Sequence, residues 1–561
     1  MTFHPSEPHG NSDTPVHTAR HPGGGIIHQT GGTWIVVPHF LTDITAARTF
    51  ARAAHSAGAD AIELRCDRAD RLTIENALQD PDIRRLKTIL TIRPAWEGGE
   101  FSGTEEERLT LLQAGCRMNP DMVDVEWQAW KNSSKFAAGL SPLIGKPTDN
   151  NKADRPNLIV SNHDFAARPA DIQQRLQAMA GIAAAAVLKV AFKAHTLIDA
   201  LAALRLYTQR ESFGKLPLVA IAMGEAGQIS RLLAMKFGAA FTFAELDGHP
   251  GSAPGQPLVS TLVNGYRFKQ QQSDWRVCGL IGSPVSHSVS PIIHNAGFQK
   301  IGFAGLYIPL LVEAGEEQFA QAVDALRSLP GFNLCGTSIT IPHKINALAY
   351  ALKNKADIDP VARHIGAVNT LLFSTDGHIR AMNSDATGAI EALTRGMGIE
   401  PADLRGQDIA VLGAGGAARA VTAALAALHG RVTVYNRTIS KGLEMVKQLA
   451  GCSANLTARP AADFKQSHHK IIINCTAAGM TPDTTSLPFS AETRLYADQV
   501  ILDTVYNPRR TRLLQMGQAA GACCIEGMEM LLGQAVAQFE GFTGQAAPRD
   551  VMRAAAEAAF R

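Results

Sequence analysis

Lys189 stands in the run Ala183-Ala184-Ala185-Ala186-Val187-Leu188-Lys189-Val190-Ala191-Phe192, where every neighbour is apolar. A lysine on a strand covered on both faces is partly desolvated, which disfavours its ammonium, and the neutral amine can attack a carbonyl to form a Schiff base. His163, in Ser161-Asn162-His163-Asp164, supplies a group that moves protons near neutral pH. Arg93 and Arg231 are guanidiniums able to grip a carboxylate through two parallel hydrogen bonds. Each has an ordinary structural use when taken alone: a snorkelling lysine, a satisfied core histidine, surface ion-pair arginines. Their shared position, at or just past the ends of apolar strand-like runs, favours a catalytic reading.

The second half of the chain carries a different chemistry. Asp408 to Arg419 reads as a strand, the turn Gly413-Ala414-Gly415-Gly416-Ala417, and a helix start. Such glycines let a pyrophosphate approach the backbone at a helix N-terminus. The turn alone is a weak signal, but the apolar helix Ala418 to Leu428 and the second strand Arg431 to Tyr435 strengthen it. Where an NAD site would place a carboxylate, this chain has Asn436-Arg437-Thr438, with Lys441 nearby. A guanidinium in place of the acid suits a 2′-phosphate, so NADP is the expected cofactor. Lys344 and Asp385, with hydroxyl-rich motifs around Ser288, Ser290 and Thr340, supply the proton relay and polar pocket that a ketone reduction needs.

These groups need elements to hold them, and the composition allows several. A length of 561 residues is enough for three to four domains at roughly 150 residues each. Lys+Arg 53 against Asp+Glu 51 leaves a net charge of +2, with 46% hydrophobic residues. So even a balance carries no field for nucleic acid, and no apolar run is long enough to span a membrane. The cysteines are spread without a C-x-x-C pair, so no disulfide framework or metal site is expected, and a cytoplasmic protein is. Residues 1–31, with His4, His9, His17, His21 and His28 at spacings that fit no metal geometry, read as a disordered tail.

From Trp34 onward, apolar runs begin near Trp34, Ala61, Lys87, Met122, Asn157, Val187, Leu216 and Phe241, alternating with helical patterns such as Ile44 to Ala57, Glu105 to Cys116 and Gly227 to Lys236. Eight strand–helix units predict a (β/α)8 TIM barrel over 32–269. The barrel is favoured over a doubly wound sheet, which typically has fewer strands. In a barrel, catalytic groups sit at the C-terminal strand ends. A polar linker, Gln270 to Asp274, leads to a two-lobed α/β remainder: 275–384, completed by helices in 530–561, and a Rossmann-type unit over 385–529.

The first half resembles the type I 3-dehydroquinate dehydratases. The resemblance rests on Glu63-Leu64-Arg65-Cys66-Asp67, Arg93-Pro94-Ala95-Trp96-Glu97-Gly98-Gly99, Asn162-His163-Asp164-Phe165, Lys189, Ser230-Arg231 and Ser252-Ala253-Pro254-Gly255-Gln256, all in family order. It implies an imine on Lys189, proton transfer by His163 oriented by Glu97, and substrate binding by Glu63, Arg65, Arg93, Arg231, Ser252 and Gln256. The second half resembles the shikimate dehydrogenases through Ser286 to Pro291, Gly336 to Lys344, Gly366 to Thr370, Asn383-Ser384-Asp385, Asn474 to Met480, Asp503 to Pro508 and Gly527 to Ala535.

That second resemblance implies Lys344 and Asp385 as the catalytic pair, and Ser288, Ser290, Thr340, Asn369, Asp385, Tyr506 and Gln534 around the substrate. Gly413, Ala414, Gly415, Gly416, Ala417, Asn436, Arg437, Thr438, Thr476 and Met480 are the expected NADP-binding residues. Ser338 and Ser384 stand where many members of the family have Asn and Thr, which leaves quinate as a competing substrate. The product of the first family is the substrate of the second, so the two resemblances together imply consecutive steps toward aromatic amino acids, acting on small molecules with no nucleic acid or membrane partner. Two alternatives are a quinate enzyme preferring NAD, which Arg437 disfavours, and a non-catalytic quinate-responsive regulator, which the presence of Lys189, His163, Lys344 and Asp385 disfavours.

Overall fold

A computed structural model describes residues 32–145, 155–249, 251–451 and 455–560. The expected N-terminal tail lies outside the described residues. Strands β1 (Trp34–Phe40), β2 (Ala61–Arg65), β3 (Lys87–Thr91), β4 (Met122–Glu126), β5 (Asn157–Asp164), β6 (Ala185–Lys193), β7 (Leu218–Met223) and β8 (Phe241–Phe243) form one parallel sheet of eight strands. Its order is β7-β6-β5-β4-β3-β2-β1-β8, and the Ala240 N–H donates to Leu218 O at 2.9 Å across the remaining seam. The expected (β/α)8 barrel is present.

Side chains alternate across a strand, so each strand sends every second residue into the barrel. The lower inward positions are apolar: Val36, Ala61, Ile89, Met122, Ile159, Val187, Val219 and Phe241 fill the interior as one buried cluster. Two residues further along several of these strands the inward positions turn polar, and the catalytic candidates begin there. The outer faces bury Leu, Val and Ile against the helices. Helix starts are capped: Asp43 accepts from Ala46 N at 2.8 Å, and Thr104 with Glu107 forms a reciprocal box at the helix Glu105–Arg117.

The expected helix Gly227 to Lys236 shrinks to Ile229–Leu232, with turns on either side. The linker also differs from expectation. Gln271 is buried and donates to Leu232 O and Tyr266 O, at 3.0 and 3.3 Å. The Lys236 ammonium donates to Ser273 O and Trp275 O, and the Arg267 guanidinium lies 4.5 Å from the centre of the Trp275 ring. A polar sequence read as a spacer is therefore a pinned joint, and one apolar cluster runs through it from the barrel into the next sheet.

That sheet holds β9 (Arg276–Gly282), β10 (Gly305–Leu311), β11 (Leu334–Ile339), β12 (Asp357–Ile358), β13 (Thr370–Phe373) and β14 (Ile379–Met382) in the order β10-β9-β11-β13-β14-β12, with β13 antiparallel to its neighbours. Cys278 on β9 and Cys335 on β11 are disulfide-bonded, with Cα atoms 5.5 Å apart. The sequence offers no sign of a disulfide framework, and this single bridge is a departure from that expectation: the two cysteines are 57 residues apart in sequence and meet only because their strands pair.

The third sheet is wholly parallel: β15 (Asp408–Leu412), β16 (Arg431–Asn436), β17 (Leu456–Pro460), β18 (Ile471–Asn474), β19 (Val500–Asp503) and β20 (Cys523–Ile525), ordered β17-β16-β15-β18-β19-β20. That is the doubly wound dinucleotide-binding order, with its reversal beside β15. The helices Ser384–Met397 and Gly527–Thr543 pack backbone to backbone: a Cβ on Gly388 would lie 2.7 Å from Gln534 N. This close approach brings the first turn of one helix and the middle of the other to the same pocket. Among the described residues, no helix is long and apolar enough to cross a membrane.

Candidate active sites

The upper inward positions of the barrel strands converge on one small cavity of about 70 Å³. Glu63, Arg65, Arg93, Glu97, His163 and Lys189 line it, and Arg231, Ser252 and Gln256 close it from the loops after β7 and β8. All nine residues expected in this site meet there. Lys189 Nζ donates to Asp124 Oδ2 at 2.8 Å, lies 3.7 Å from Glu63 Oε1, and sits 4.7 Å from the centre of the Phe243 ring. The sequence reading gave Lys189 only apolar neighbours along the strand; across the barrel it has two carboxylates.

His163 meets Glu97 twice: its backbone N–H donates to Glu97 Oε1 at 2.7 Å, and Nδ1 lies 2.9 Å from the same oxygen. Burial pushes Glu97 up to about 8, with nearby Arg93 opposing the rise. Burial and then the Arg93 and Lys189 charges hold His163 well below 6.5. At neutral pH the pair therefore presents a protonated carboxyl beside a neutral imidazole. Phe165, half exposed to solvent, stacks beside the imidazole with ring centres 6.3 Å apart.

The arginines divide into two kinds. Arg65 is ion-paired to Asp67 at 2.5 Å. Arg93 spends its amino groups on Asp124 at 2.8 Å, Glu126 at 2.6 Å and Ser161 at 2.8 Å. Arg231 is as deeply buried, but donates only to Ala222 O at 3.1 Å and leaves its Nε without a partner. Burial without a contacting carboxylate brings it down to about 10. Asp124 and Glu126 are absent from the expected set. They occupy inward positions of β4, and the alternation of that strand was the signal that could have found them.

The second pocket, about 330 Å³, lies at the C-terminal ends of β9 and β11. Ser288, Ser290, Thr340, Lys344, Asn369, Asp385, Tyr506 and Gln534 all line it. Lys344 opens the helix Lys344–Lys353, and its Nζ is 2.5 Å from Asp385 Oδ2. Asn383 caps the helix Ser384–Met397 by accepting from Asp385 N at 3.2 Å, which fixes the carboxylate's base. Asn369 is locked to Ser384 by three bonds, at 2.7, 3.0 and 3.2 Å. Gln538 is a member the sequence reading missed: it accepts from Ser338 Oγ at 2.7 Å and donates to Ser384 Oγ at 2.9 Å. It stands one helical turn after Gln534, a spacing that places both on one face.

A wider cleft of about 680 Å³ separates the two sheets, walled by Lys344, Asp385, Ala414, Gly415, Gly416, Arg419, Lys441 and Gln448. Gly413 has φ +108°, and a Cβ there would lie 3.0 Å from Thr476 Cγ2. Around Gly415 and Gly416 an added Cβ meets nothing within 4 Å, and no side chain caps the helix Gly416–Ala427. Open space before an uncapped helix N-terminus fits a dinucleotide's phosphates. Ala417 lies in that first turn. Asn436 ends β16 and donates to Thr438 O at 2.8 Å, while Arg437 and Thr438 are exposed at the following turn. Thr476 is held by Asn474 after β18, and Met480 is exposed. Asn436, Arg437 and Thr438 thus follow β16 and Thr476 follows β18, the two strands that flank β15, and neither they nor Met480 walls the cleft itself.

Residues 35–273 match the type I 3-dehydroquinase family, and 280–371 match the shikimate dehydrogenase substrate binding domain. Residues 398–490 match the shikimate / quinate 5-dehydrogenase family, and 527–557 the shikimate 5′-dehydrogenase C-terminal domain. A chloroplastic bifunctional 3-dehydroquinate dehydratase/shikimate dehydrogenase of Arabidopsis thaliana is 34% identical over 514 residues, covering 89% of this chain and 80% of that one. A shikimate dehydrogenase (NADP(+)) of Methanosarcina acetivorans is 38% identical over 286 residues, 50% of this chain and 96% of its own. A solved structure of the dehydroquinate dehydratase and shikimate dehydrogenase from S. pombe AroM aligns with 94% of this chain and 98% of that one, at 24% identity and a TM-score of 0.41. With a dehydroquinase barrel and both dehydrogenase lobes joined in the same order as in the plant relative, the chain belongs to the family of bifunctional 3-dehydroquinate dehydratase/shikimate dehydrogenases.

Proposed function

We propose that the chain carries out two consecutive steps of the shikimate pathway: dehydration of 3-dehydroquinate to 3-dehydroshikimate in the barrel, and NADP-dependent reduction of that ketone to shikimate between the two following lobes. The observation that carries the reading is the barrel cavity, where Lys189, the His163–Glu97 pair and Arg231, which contacts no carboxylate, line one small space.

In the barrel, Lys189 condenses with the ketone, and the resulting iminium acidifies the adjacent C–H. His163, neutral at working pH, takes that proton; Glu97 orients the imidazole and shares its proton. The same pair then returns the proton to the departing hydroxyl, which leaves as water, and hydrolysis frees Lys189. Arg231 is the anchor for the substrate carboxylate, since an unpaired buried guanidinium is the strongest local demand for an anion. Arg93 lines the same cavity with its amino groups already committed, so it holds the carboxylates of the wall. Glu63, Arg65, Ser252 and Gln256 remain to read the hydroxyls.

In the second site, Ser288, Ser290, Thr340, Asn369, Tyr506 and Gln534 hold the polyol acid so that its ketone oxygen faces Lys344. Lys344 donates the proton to that oxygen, and Asp385 orients the ammonium and relays its replacement. The turn Gly413 to Ala417 would hold the NADP pyrophosphate, Arg437 with Asn436 and Thr438 the 2′-phosphate, and Thr476 and Met480 the far wall. When bound, the cofactor supplies the two electrons and the hydrogen for the reduction. We take 275–384 with 530–561 as the substrate lobe and 385–529 as the cofactor lobe, which the two separate sheets support. The buried free thiols Cys66 and Cys116 favour a cytoplasmic setting, with the pair Cys278–Cys335 as an exception.

The test is NADPH oxidation starting from 3-dehydroquinate. The intact chain should consume one NADPH per substrate. Lys189→Ala should remove turnover from 3-dehydroquinate and keep turnover from 3-dehydroshikimate; loss of both would contradict separate sites.

A further inference from the structure

The barrel interior contains charges that the two-step reading does not use. Asp124 and Glu126 are completely buried on β4. Around them runs an unbroken line of ion pairs: Glu105 to Arg108 at 2.7 Å, Arg108 to Glu126 at 2.6 Å, Glu126 to Arg93 at 2.6 Å, Arg93 to Asp124 at 2.8 Å, and Asp124 to Lys189 at 2.8 Å. Glu105, at the solvent end, is the exposed member, while Arg108 is fully buried. The line ends at the nitrogen that must react.

Its chemistry follows from what condensation does to charge. An ammonium and a ketone give an iminium and water: R–NH3⁺ + O=C becomes R–NH⁺=C + H2O. The positive charge is conserved, and one N–H of the original three survives. A carboxylate hydrogen-bonded to the ammonium therefore keeps its partner through the step, and goes on accepting from the N–H that remains. An iminium acidifies its neighbouring C–H, whereas a neutral imine does so far more weakly, so a fixed negative charge at that nitrogen keeps the intermediate in its useful form. We propose that Asp124 is the counter-ion of the protonated imine on Lys189, and that Arg93, Glu126, Arg108 and Ser161 are positioning residues that hold Asp124 for this task. The proposal rests on the imine reading of Lys189.

Geometry singles out Asp124 over Glu63. Asp124 Oδ2 is at hydrogen-bond distance from Nζ, and its other oxygen is fixed by Arg93 and by the Ser161 hydroxyl at 2.6 Å. Glu63 is 3.7 Å from Nζ and accepts from Thr91 at 2.9 Å. Burial favours a protonated Asp124, but the Arg93 and Lys189 charges outweigh it and hold the carboxyl well below its ordinary range. The charged and titratable groups around Nζ in this cavity are Glu63 and Arg65 on β2, Arg93 and Glu97 beyond β3, Asp124 and Glu126 on β4 and His163 on β5, with Arg231 beyond β7; Phe243 on β8 adds the negative face of its ring.

The test is borohydride trapping of the full-length protein with 3-dehydroquinate across pH, read as reduced adduct on Lys189 by mass spectrometry, beside kcat for dehydration. Asp124→Asn should lower kcat by ~100-fold or more, the scale of losing one preorganised charge partner. It should also move the alkaline loss of trappable, protonated imine to lower pH, and Asp124→Glu should restore much of that limb. An Asn variant with an unchanged pH limb and near-native kcat overturns the counter-ion role. Absence of adduct in the unaltered chain instead overturns the imine reading. If Asp124→Asn does not fold, vibrational spectroscopy of the unreduced imine, formed by the unaltered chain without borohydride, decides: a C=N stretch that shifts in D2O up to the alkaline end of the active range supports the proposal, and an unshifted one overturns it.

Discussion

The two sites of this chain solve opposite problems. The barrel site is drawn from strands of a single sheet, and its cations are balanced before any ligand arrives: Lys189, Arg93, Arg65 and Arg108 against Asp124, Glu63, Asp67 and Glu126. Only Arg231 is left without a contacting carboxylate. The dehydrogenase site lies between separate sheets, in clefts of about 330 and 680 Å³ against about 70 Å³ in the barrel, with Lys344 partly exposed. Covalent chemistry on an amine gains from a dry, rigid wall, because fixed charges act strongly there and need no reorganisation. A reduction that joins two separate molecules needs a gap that each can enter.

That contrast is broken or sharpened by specific changes. The largest effect falls on Lys189→Ala: dehydration should disappear while reduction of 3-dehydroshikimate stays near native, as measured by separate assays of each half-reaction. Lys344→Ala should produce the converse, with reduction falling by ~100- to 10,000-fold, the usual contribution of a positioned acid–base group. Arg231→Ala should raise the KM for 3-dehydroquinate and lower kcat/KM by ~100-fold or more, the ~3 kcal/mol scale of a buried charge pair losing one partner. Arg65→Ala should cost less, since its guanidinium is shared with Asp67.

A pH effect of intermediate size separates the sites further. His163 must be neutral to accept a proton, and its environment holds it below 6.5, so dehydration should persist into acid and fail only as pH falls through that depressed value. Glu97, at about 8, should add a second bend as it ionises, and Glu97→Gln should abolish that bend while leaving the acid limb. The smallest effect expected is on cofactor choice. Arg437→Ala, at an exposed position, should weaken NADP relative to NAD by ~10-fold, seen in the ratio of the two kcat/KM values, since one exposed ionic contact is worth about 1 kcal/mol or a little more.

Much of this was legible in the sequence for a physical reason. Buried parallel strands are continuous apolar runs, so the starts of β1 to β5 and β8 stand out, with β6 and β7 displaced by two residues, and a polar residue interrupting such a run, as Lys189 does, is conspicuous. Met122-Val123-Asp124-Val125-Glu126 hides its meaning, because alternation reads equally as a strand half exposed to water. Arg108 looks like the polar face of a helix, yet it is wholly buried against Glu126 and lies over the Phe136 ring. Gln270 to Asp274 looks like a spacer because it is polar, yet Gln271 donates to Leu232 O and Tyr266 O and Ser273 O accepts from Lys236, all groups of the barrel. In each case the partner is distant in sequence, and only the fold supplies it.

The central claim is that one chain holds two complete and separable sites, and mixing two inactive chains tests it most directly. Neither Lys189→Ala nor Lys344→Ala alone should convert 3-dehydroquinate to shikimate. Equal amounts of both variants, supplied with 3-dehydroquinate and NADPH, should restore shikimate formation, with the intermediate passing through solution from one molecule to the other. A mixture that stays inactive while each variant keeps its remaining half-reaction would contradict the account.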